Sequence, residues 1–345
     1  MANMIHSPVL SHHTKSRAAR YTIDDVAKLA GVSRATVSRV LNGSAAVSPE
    51  TAEAVRRAVA DTGYVPNLIA GGLASNRSRL VAAMVPSIAT SIFNGMIEAM
   101  IDAFAENGYQ MVLGVAREGE DRVKSVITSM LSRRPEAIIL TWNEHNPALR
   151  RLLTGSDVTV IETWDLTPDP LDVAVGFSHF EVGKAMAKLA VDKGYRSPLV
   201  ISAGYERARM RLRGMTSMFE SNGVREILTD VTPTMSLVNG RERFASQLET
   251  GKKPDIVLCS SDLVAQGVLI EAAKRGMRIP DDLAVFGFGD MEFAAHSYPP
   301  LTTVRIDGRK IAQEATRIIV ARMQGRLIRK RVVDVGFSIV ERESV

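Results

Sequence analysis

Two arginines, Arg34 and Arg39, stand in the run SRATVSRVLN, whose other polar side chains are Ser33, Thr36, Ser38 and Asn42. Wound as a helix, the run projects Arg34, Ala35, Ser38 and Arg39 outward. An outward guanidinium such as that of Arg39 can make a bidentate pair with the O6/N7 edge of guanine, worth about 1–3 kcal/mol of discrimination between bases. Short hydroxyl and amide groups such as Ser33, Thr36, Ser38 and Asn42 suit phosphate oxygens. Ser33 also fits a helix cap, and the two roles are compatible.

The flanking sequence supplies elements that can hold such a helix. Thr22 reads as an N-cap with Asp24 and Asp25 in the first turn behind it. Val26, Ala27, Leu29 and Ala30 then give an apolar face, and Gly31 stops the helix. Ser33 opens a second helix that ends at Asn42-Gly43. Ser48-Pro49 opens a third, with Pro at its first position, and Val55, Ala58 and Val59 face back toward the other two. Two short helices joined by a glycine-bearing turn form a helix-turn-helix, whose second helix enters the major groove of DNA.

Charge agrees with that reading. Residues 1–79 carry ten Lys and Arg against five Asp and Glu, while the remaining 266 residues carry 33 of each. The whole net charge of +5 therefore sits in the head, as expected of a nucleic-acid-binding module on a neutral body. Residues 1–20 read as a disordered basic arm without the apolar core of a secretory signal, and His12 and His13 as solvated tail residues. The single cysteine, Cys259, rules out an internal disulfide and suits a reducing cytoplasm. No long apolar run predicts a membrane span.

The stretch TIDDVAKLAGVSRATVSRVLNG, followed by VSPETAEAVRRAVADTGYVPN, resembles the head of the LacI (lactose-repressor) family of bacterial regulators from Thr22 to Asn67. The resemblance implies that Arg34 and Ala35 choose the operator sequence. It also places Thr22, Asn67, Ala70 and Leu73 among the DNA contacts. Residues 66–78, containing NLIAGGLAS, match the family's hinge helix, in which a leucine, here Leu73, wedges between base steps of the minor groove. Gly71 and Gly72 depart from the better helix formers of many relatives. At roughly 1 kcal/mol each relative to Ala, they predict a hinge that is costly to fold.

From residue 79 the pattern becomes strand–loop–helix. LVAAMVP, YQMVLGVA, AIILTW, TVIETW, VAVGF, PLVISAG, DIVLCS and LAVFGFG read as strands. SIFNGMIEAMIDAFAENG, EDRVKSVITSMLSRRP, EVGKAMAKLAVDKG, ARMRLRGMTSMFESNG and SDLVAQGVLIEAAKRGM read as helices. Such alternation implies an α/β body of doubly wound parallel sheets, with ligands beyond the carboxyl ends of the strands. The body, 79–345, resembles the family's effector-binding core, which is similar to periplasmic sugar-binding proteins: two lobes, a cleft and crossing strands. IPDDLAVFGFGDMEFA with PPLTTVRID carries that resemblance in the second lobe.

The residues following each strand populate the expected cleft. The first lobe offers Ser87, Ile88, Ser91, Phe93, Thr141 and Trp142; the second offers Phe177, Arg211, Ser261, Asp262, Gly289 and Asp290. By the resemblance, Arg211 falls on the arginine that clamps effector oxygens, and a buried guanidinium fork suits a carboxylate or vicinal hydroxyls. Arg209 and Arg213 read as surface groups, Asp262 fits a helix cap equally well, and Trp142 fits packing. Many sugar-binding relatives carry an aspartate where Gly289 stands, with Asp290 one residue later. Loss of that acid beside a retained Arg211 favours an anionic ligand. LDVAVGFSHFEVGKAM and LTWNEH also resemble the gluconate-operon repressor branch, which implies a sugar acid such as gluconate.

The resulting expectation is a homodimeric regulator, most simply a repressor, that grips a pseudo-palindromic operator and answers a small molecule. No leucine heptads follow the last strand, which favours a dimer over a coiled-coil tetramer. An α/β sugar-processing enzyme is the first rival, but GxGxxG after the first strand, P-loop, HExxH and GxSxG patterns are all missing, so neither catalysis nor a cofactor or metal is expected. A transport solute-binding protein is the second rival. It fits the body and leaves the basic head unexplained.

Overall fold

The structure, a computed structural model, describes residues 21–41, 46–65, 78–88, 91–116, 119–141, 146–232 and 234–345. The basic arm, Asn42, Asn67, Ala70, Gly71, Gly72, Leu73 and Trp142 lie outside the described residues. The chain divides into two compact units, Met1–Ser78 and Arg79–Val345.

In the first unit, α1 (Ile23–Leu29), α2 (Arg34–Leu41) and α3 (Pro49–Thr62) enclose a small core of Val26, Ala27, Val37, Val55 and Ala58. Thr22 and Asp25 form a reciprocal capping box: the Asp25 carboxylate accepts the Thr22 N–H at 2.8 Å, and Asp25 N–H reaches back to Thr22 Oγ1. Gly31, at φ +66°, makes the turn before α2. Leu29 does not join the apolar face expected of it and is 59% exposed. At 100° per residue, it points away from the face shared by Val26, Ala27 and Ala30.

The second unit starts with β1 (Leu80–Val85), a 3-10 turn at Ser91–Phe93, α4 (Asn94–Glu106), β2 (Gln110–Val115), α5 (Glu120–Leu131), β3 (Ala137–Leu140), α6 (Pro147–Thr154), β4 (Thr159–Thr163) and β5 (Val173–Gly176). The chain then builds a second lobe from α7 (His179–Asp192), β6 (Pro198–Ala203), α8 (Glu206–Ser221), β7 (Leu228–Thr232), α9 (Leu237–Glu249), β8 (Ile256–Cys259), α10 (Asp262–Lys274) and β9 (Ala284–Phe286). It closes with β10 (Thr303–Arg305), α11 (Gly308–Met323), β11 (Val332–Asp334) and β12 (Ser338–Val340).

The first lobe holds a parallel sheet in the order β11-β5-β4-β3-β1-β2, and the second a parallel sheet in the order β7-β6-β8-β9. The antiparallel pair β10-β12 belongs to the chain segments that run between lobes. Continuous apolar strands such as LVAAMV, AIIL and IVLC are buried on both faces, as helix-covered parallel sheets require. All strands of one parallel sheet point the same way, so the loops after β1, β3, β4 and β5 share one end of the first lobe. The loops after β6, β8 and β9 share one end of the second.

The second lobe is assembled by helices in backbone contact. A Cβ added to Gly183 would lie 1.9 Å from Arg211 O, and one on Gly214 would lie 2.1 Å from Phe180 O. Gly240 and Gly267 play the same part between α9 and α10.

Candidate functional site

On α2, the 3.6-residue period places Arg34, Ser38, Ala35 and Arg39 on one arc of about 140°. Thr36, Val40, Val37 and Leu41 fill the opposite arc. Burial follows this division: Val37 is fully buried in the three-helix core, and Arg34, Ala35 and Arg39 are exposed. Among the described residues these arginines form one ion pair, Arg34 with Asp24 at 3.8 Å, with both side chains mostly in water, where it adds little. Ser33 caps the helix by accepting the Thr36 N–H at 3.1 Å, and its hydroxyl meets that of Thr36 at 2.9 Å.

In the body, the strand ends converge on Arg211. Its side chain comes from α8, is 1% exposed and is among the largest fully buried groups of the chain. Nη1 donates to His179 Nδ1 at 2.8 Å and Nη2 donates to Ser260 O at 3.3 Å. The guanidinium carbon lies 4.1 Å from the centre of the Phe288 ring. Nε has no hydrogen-bond partner, and no carboxylate pairs with this cation among the described residues.

His179, at the start of α7, continues the chain of contacts. Burial, followed by the charges of Arg211 and Arg207, holds its imidazole well below the ordinary value, so the ring is neutral. Its Nε2–H donates to Trp164 O at 2.9 Å, which leaves the Nδ1 lone pair for Arg211. Trp164 follows β4 at φ +69°, donates its indole N–H to Met96 Sδ at 2.9 Å and meets Phe93 edge-on at 4.9 Å. Phe177 sits between Trp164 and His179 and beside Phe288. Arg207, one turn before Arg211, donates to Thr163 O at 2.8 Å and lies 3.9 Å from the buried Asp165.

The comparisons with known proteins match both parts. Residues 22–67 match the model of bacterial regulatory proteins of the lacI family, and residues 187–345 match a periplasmic binding protein-like domain. The chain is 32% identical over 330 residues to the HTH-type transcriptional regulator GntR of Pseudomonas aeruginosa, covering 94% of this chain and 96% of that one. The chain belongs to the LacI family.

Solved LacI-family structures agree. A LacI-family transcriptional regulator from Silicibacter pomeroyi superposes with a TM-score of 0.87 at 31% identity, covering 94% of this chain and 99% of its own. The lac repressor dimer bound to operator and the anti-inducer ONPF superposes with a TM-score of 0.83 at 25% identity, covering 94% and 98%. This LacI-family protein is thus a DNA-binding transcriptional regulator, with a helix-turn-helix head and an effector-binding, parallel-sheet body. No described helix is long and apolar enough to cross a membrane.

Within this LacI-family body the expected cleft residues fall into two groups. Phe93, Phe177 and Arg211 belong to the buried cluster. Thr141, 2% exposed, gives its hydroxyl to Met84 O at 3.0 Å; Ser87 and Ile88 lie just beyond β1, with Ile88 62% exposed, and Ser91 opens the 3-10 turn. Ser261 caps α10 through Leu263 N–H at 3.1 Å.

Both aspartates have partners within the fold. Asp262 is fully buried; one oxygen accepts from Thr303 Oγ1 at 2.6 Å and the other from Met291 N–H at 2.7 Å, so it stitches α10 to the β9 loop and to β10. Burial pushes its carboxyl up to about 6, against the pull of those hydrogen bonds. Asp290 pairs with Arg305 and with Arg342 at 2.7 Å. Gly289, at φ +131°, brings the same loop against Ile92 of the first lobe: an added Cβ would stand 3.3 Å from Ile92 Cδ1. His179, Trp164 and Phe288 were not foreseen, although each lies at the end of a strand.

Proposed function

We propose that this regulator is a homodimeric repressor of a pseudo-palindromic operator, and that a sugar acid, gluconate or a phosphorylated relative, sits against Arg211 in the inter-lobe cleft. In this reading Arg34, Ala35, Ser38 and Arg39 face base edges, with Thr22, Ser33 and Thr36 toward phosphates. The observation that carries the ligand class is the unbalanced cation. A buried charge without a counter-charge costs several kcal/mol. An incoming carboxylate or phosphate supplies both the missing charge and an acceptor for the open Nε–H. A neutral sugar supplies only the acceptor.

Homodimer formation is supported by apolar side chains left in water on the outermost strand and helix of the first lobe: Val112, Leu113 and Val115 on β2 and Ile101 on α4. The fully buried Cys259, its thiol raised by burial, suits the reducing cytoplasm in which DNA is met. The ligand controls transcription by its differential affinity for two arrangements of the lobes, which shifts the population competent to bind DNA.

Thermal denaturation of the full chain with gluconate, phosphogluconate, glucose and sorbitol tests the ligand class. Stabilisation by the acids is expected. Stabilisation by the neutral compounds alone would overturn the reading.

A further inference from the structure

The body is neutral overall, yet its exposed cations are unevenly placed. Every loop that leads into a strand of the first-lobe sheet lies at one end of that sheet, the end where the chain arrives at Arg79. The α5–β3 loop brings Arg133 and Arg134 there, and the α11–β11 loop brings Arg326, Arg329, Lys330 and Arg331. All six are exposed.

Acids also lie at this end, the exposed Glu106 and Asp157 among them, but none forms an ion pair with these six cations among the described residues. Glu136 accepts the backbone N–H of Arg79 at 2.7 Å, and Asp172 pairs with Arg322 while accepting Val160 N–H. Arg331 donates to the carbonyls of Pro170 and Asp172. Arg134, Arg329 and Lys330 have no ion-pair partner among the described residues. Exposed arginines elsewhere in the body are commonly paired: Arg213 with Glu206, Arg278 with Asp281 and Asp282, and Arg317 with Glu314.

Helix dipoles account for only part of the cluster. The carboxyl ends of α5 and α11 lie here and favour cations within their last turn. Arg329 and Lys330 stand six and seven residues beyond Met323, outside that reach. The tether to the head is short: thirteen steps from Val65 to Ser78 extend to no more than about 45 Å. A duplex gripped by the head is therefore tethered to the body, which raises its effective concentration for any phosphate-binding surface within that reach.

We propose that this end of the first lobe is a second DNA contact, binding the phosphate backbone of duplex DNA without reading sequence. The inference rests on the head being the primary DNA-binding element. It adds that the body contributes to affinity and salt dependence while leaving sequence preference to α2.

The test uses the full-length protein and random-sequence duplexes, with dissociation constants measured by fluorescence anisotropy across a salt series. The triple variant R134Q/R329Q/K330Q is compared with wild type and with the charge-matched second-lobe variant R225Q/K252Q/K253Q. Each lost phosphate contact lowers the log–log salt slope by about 0.9, so between about 50 and 200 mM salt the wild-type affinity should fall about 40-fold more than that of the first-lobe variant. The second-lobe variant should follow wild type. Equal slopes for all three proteins, or equal losses in both variants, would overturn the second contact while leaving DNA binding by the head intact. A wild-type protein that binds no duplex would overturn both.

Discussion

Arg211 donates from Nη1 to Nδ1 of His179 across 2.8 Å, so the buried cation is oriented by a neutral ring rather than by an acid. The same ring donates to Trp164 O from the opposite nitrogen. One side chain thereby links the cleft arginine of the second lobe to the end of β4 in the first.

That arrangement makes the protein sensitive to acid. In the unfolded chain His179 protonates at its ordinary value of 6.5, whereas the folded state holds it well below. Below pH 6.5 the unfolded state therefore binds a proton that the folded state refuses, and stability falls as pH falls. His179→Gln keeps a donor and an acceptor without titrating. The melting-temperature advantage of wild type over H179Q should shrink on going from about pH 8 to about pH 5. An advantage constant across that range would show that His179 protonates normally.

Arg211→Met separates binding from stability. Methionine fills much of the same space beside Phe288 and removes an unbalanced buried charge, which offsets the loss of the hydrogen bonds to His179 Nδ1 and Ser260 O, about 1–3 kcal/mol for each buried acceptor left open. The two effects oppose each other, so the ligand-free variant should melt near the wild-type temperature. Sugar-acid binding by calorimetry should weaken roughly 10- to 150-fold, the scale of one charged hydrogen bond. A variant that melts well below wild type would mark Arg211 as a structural group.

Gly214→Ala should act on the site through the helices. Its new methyl would meet Phe180 O at 2.1 Å, so α7 and α8 must separate, carrying His179 and Arg211 with them. Overpacking of this kind costs about 1–3 kcal/mol. Gly95→Ala, on α4 with nothing within 4 Å of the added carbon, should be neutral or stabilising. Thermal melts and ligand titrations of the pair check this; equal behaviour would mean that α7 and α8 tolerate a wider spacing.

What was legible in the chain was local. The two arcs of α2, the Ser33 and Ser48 caps and the apolar strands of both sheets all follow from periodicity within ten residues. The internal partners of the two aspartates are not visible in the sequence because they are remote: Thr303 lies 41 residues from Asp262, and Arg342 lies 52 from Asp290. His179 escaped notice for the same reason, with Trp164 and Arg211 at separations of 15 and 32. Strands β7, β11 and β12 are short and carry exposed positions that mask any apolar run. Residue type and strand-end position find the mouth of a cleft; they do not show which of its charges the fold itself consumes.

Arg39 is where that locality helps most, because α2 meets its partner through side chains that the core leaves free. Val37 anchors the helix at full burial, while Arg39 stands exposed on the opposite arc with no hydrogen-bond or ion-pair partner among the described residues. A guanidinium paired with a guanine edge contributes about 1–3 kcal/mol of discrimination, or roughly 5- to 150-fold. Arg39→Ala should therefore flatten the preference at one base position of each half-site when wild type and variant are selected against a random duplex library. Binding to non-specific DNA at moderate salt should fall only modestly, since one charge among many is lost. Uniform weakening across all sequences, with the preference profile unchanged, would instead assign Arg39 to the phosphate backbone and leave base reading to Arg34 and Ala35.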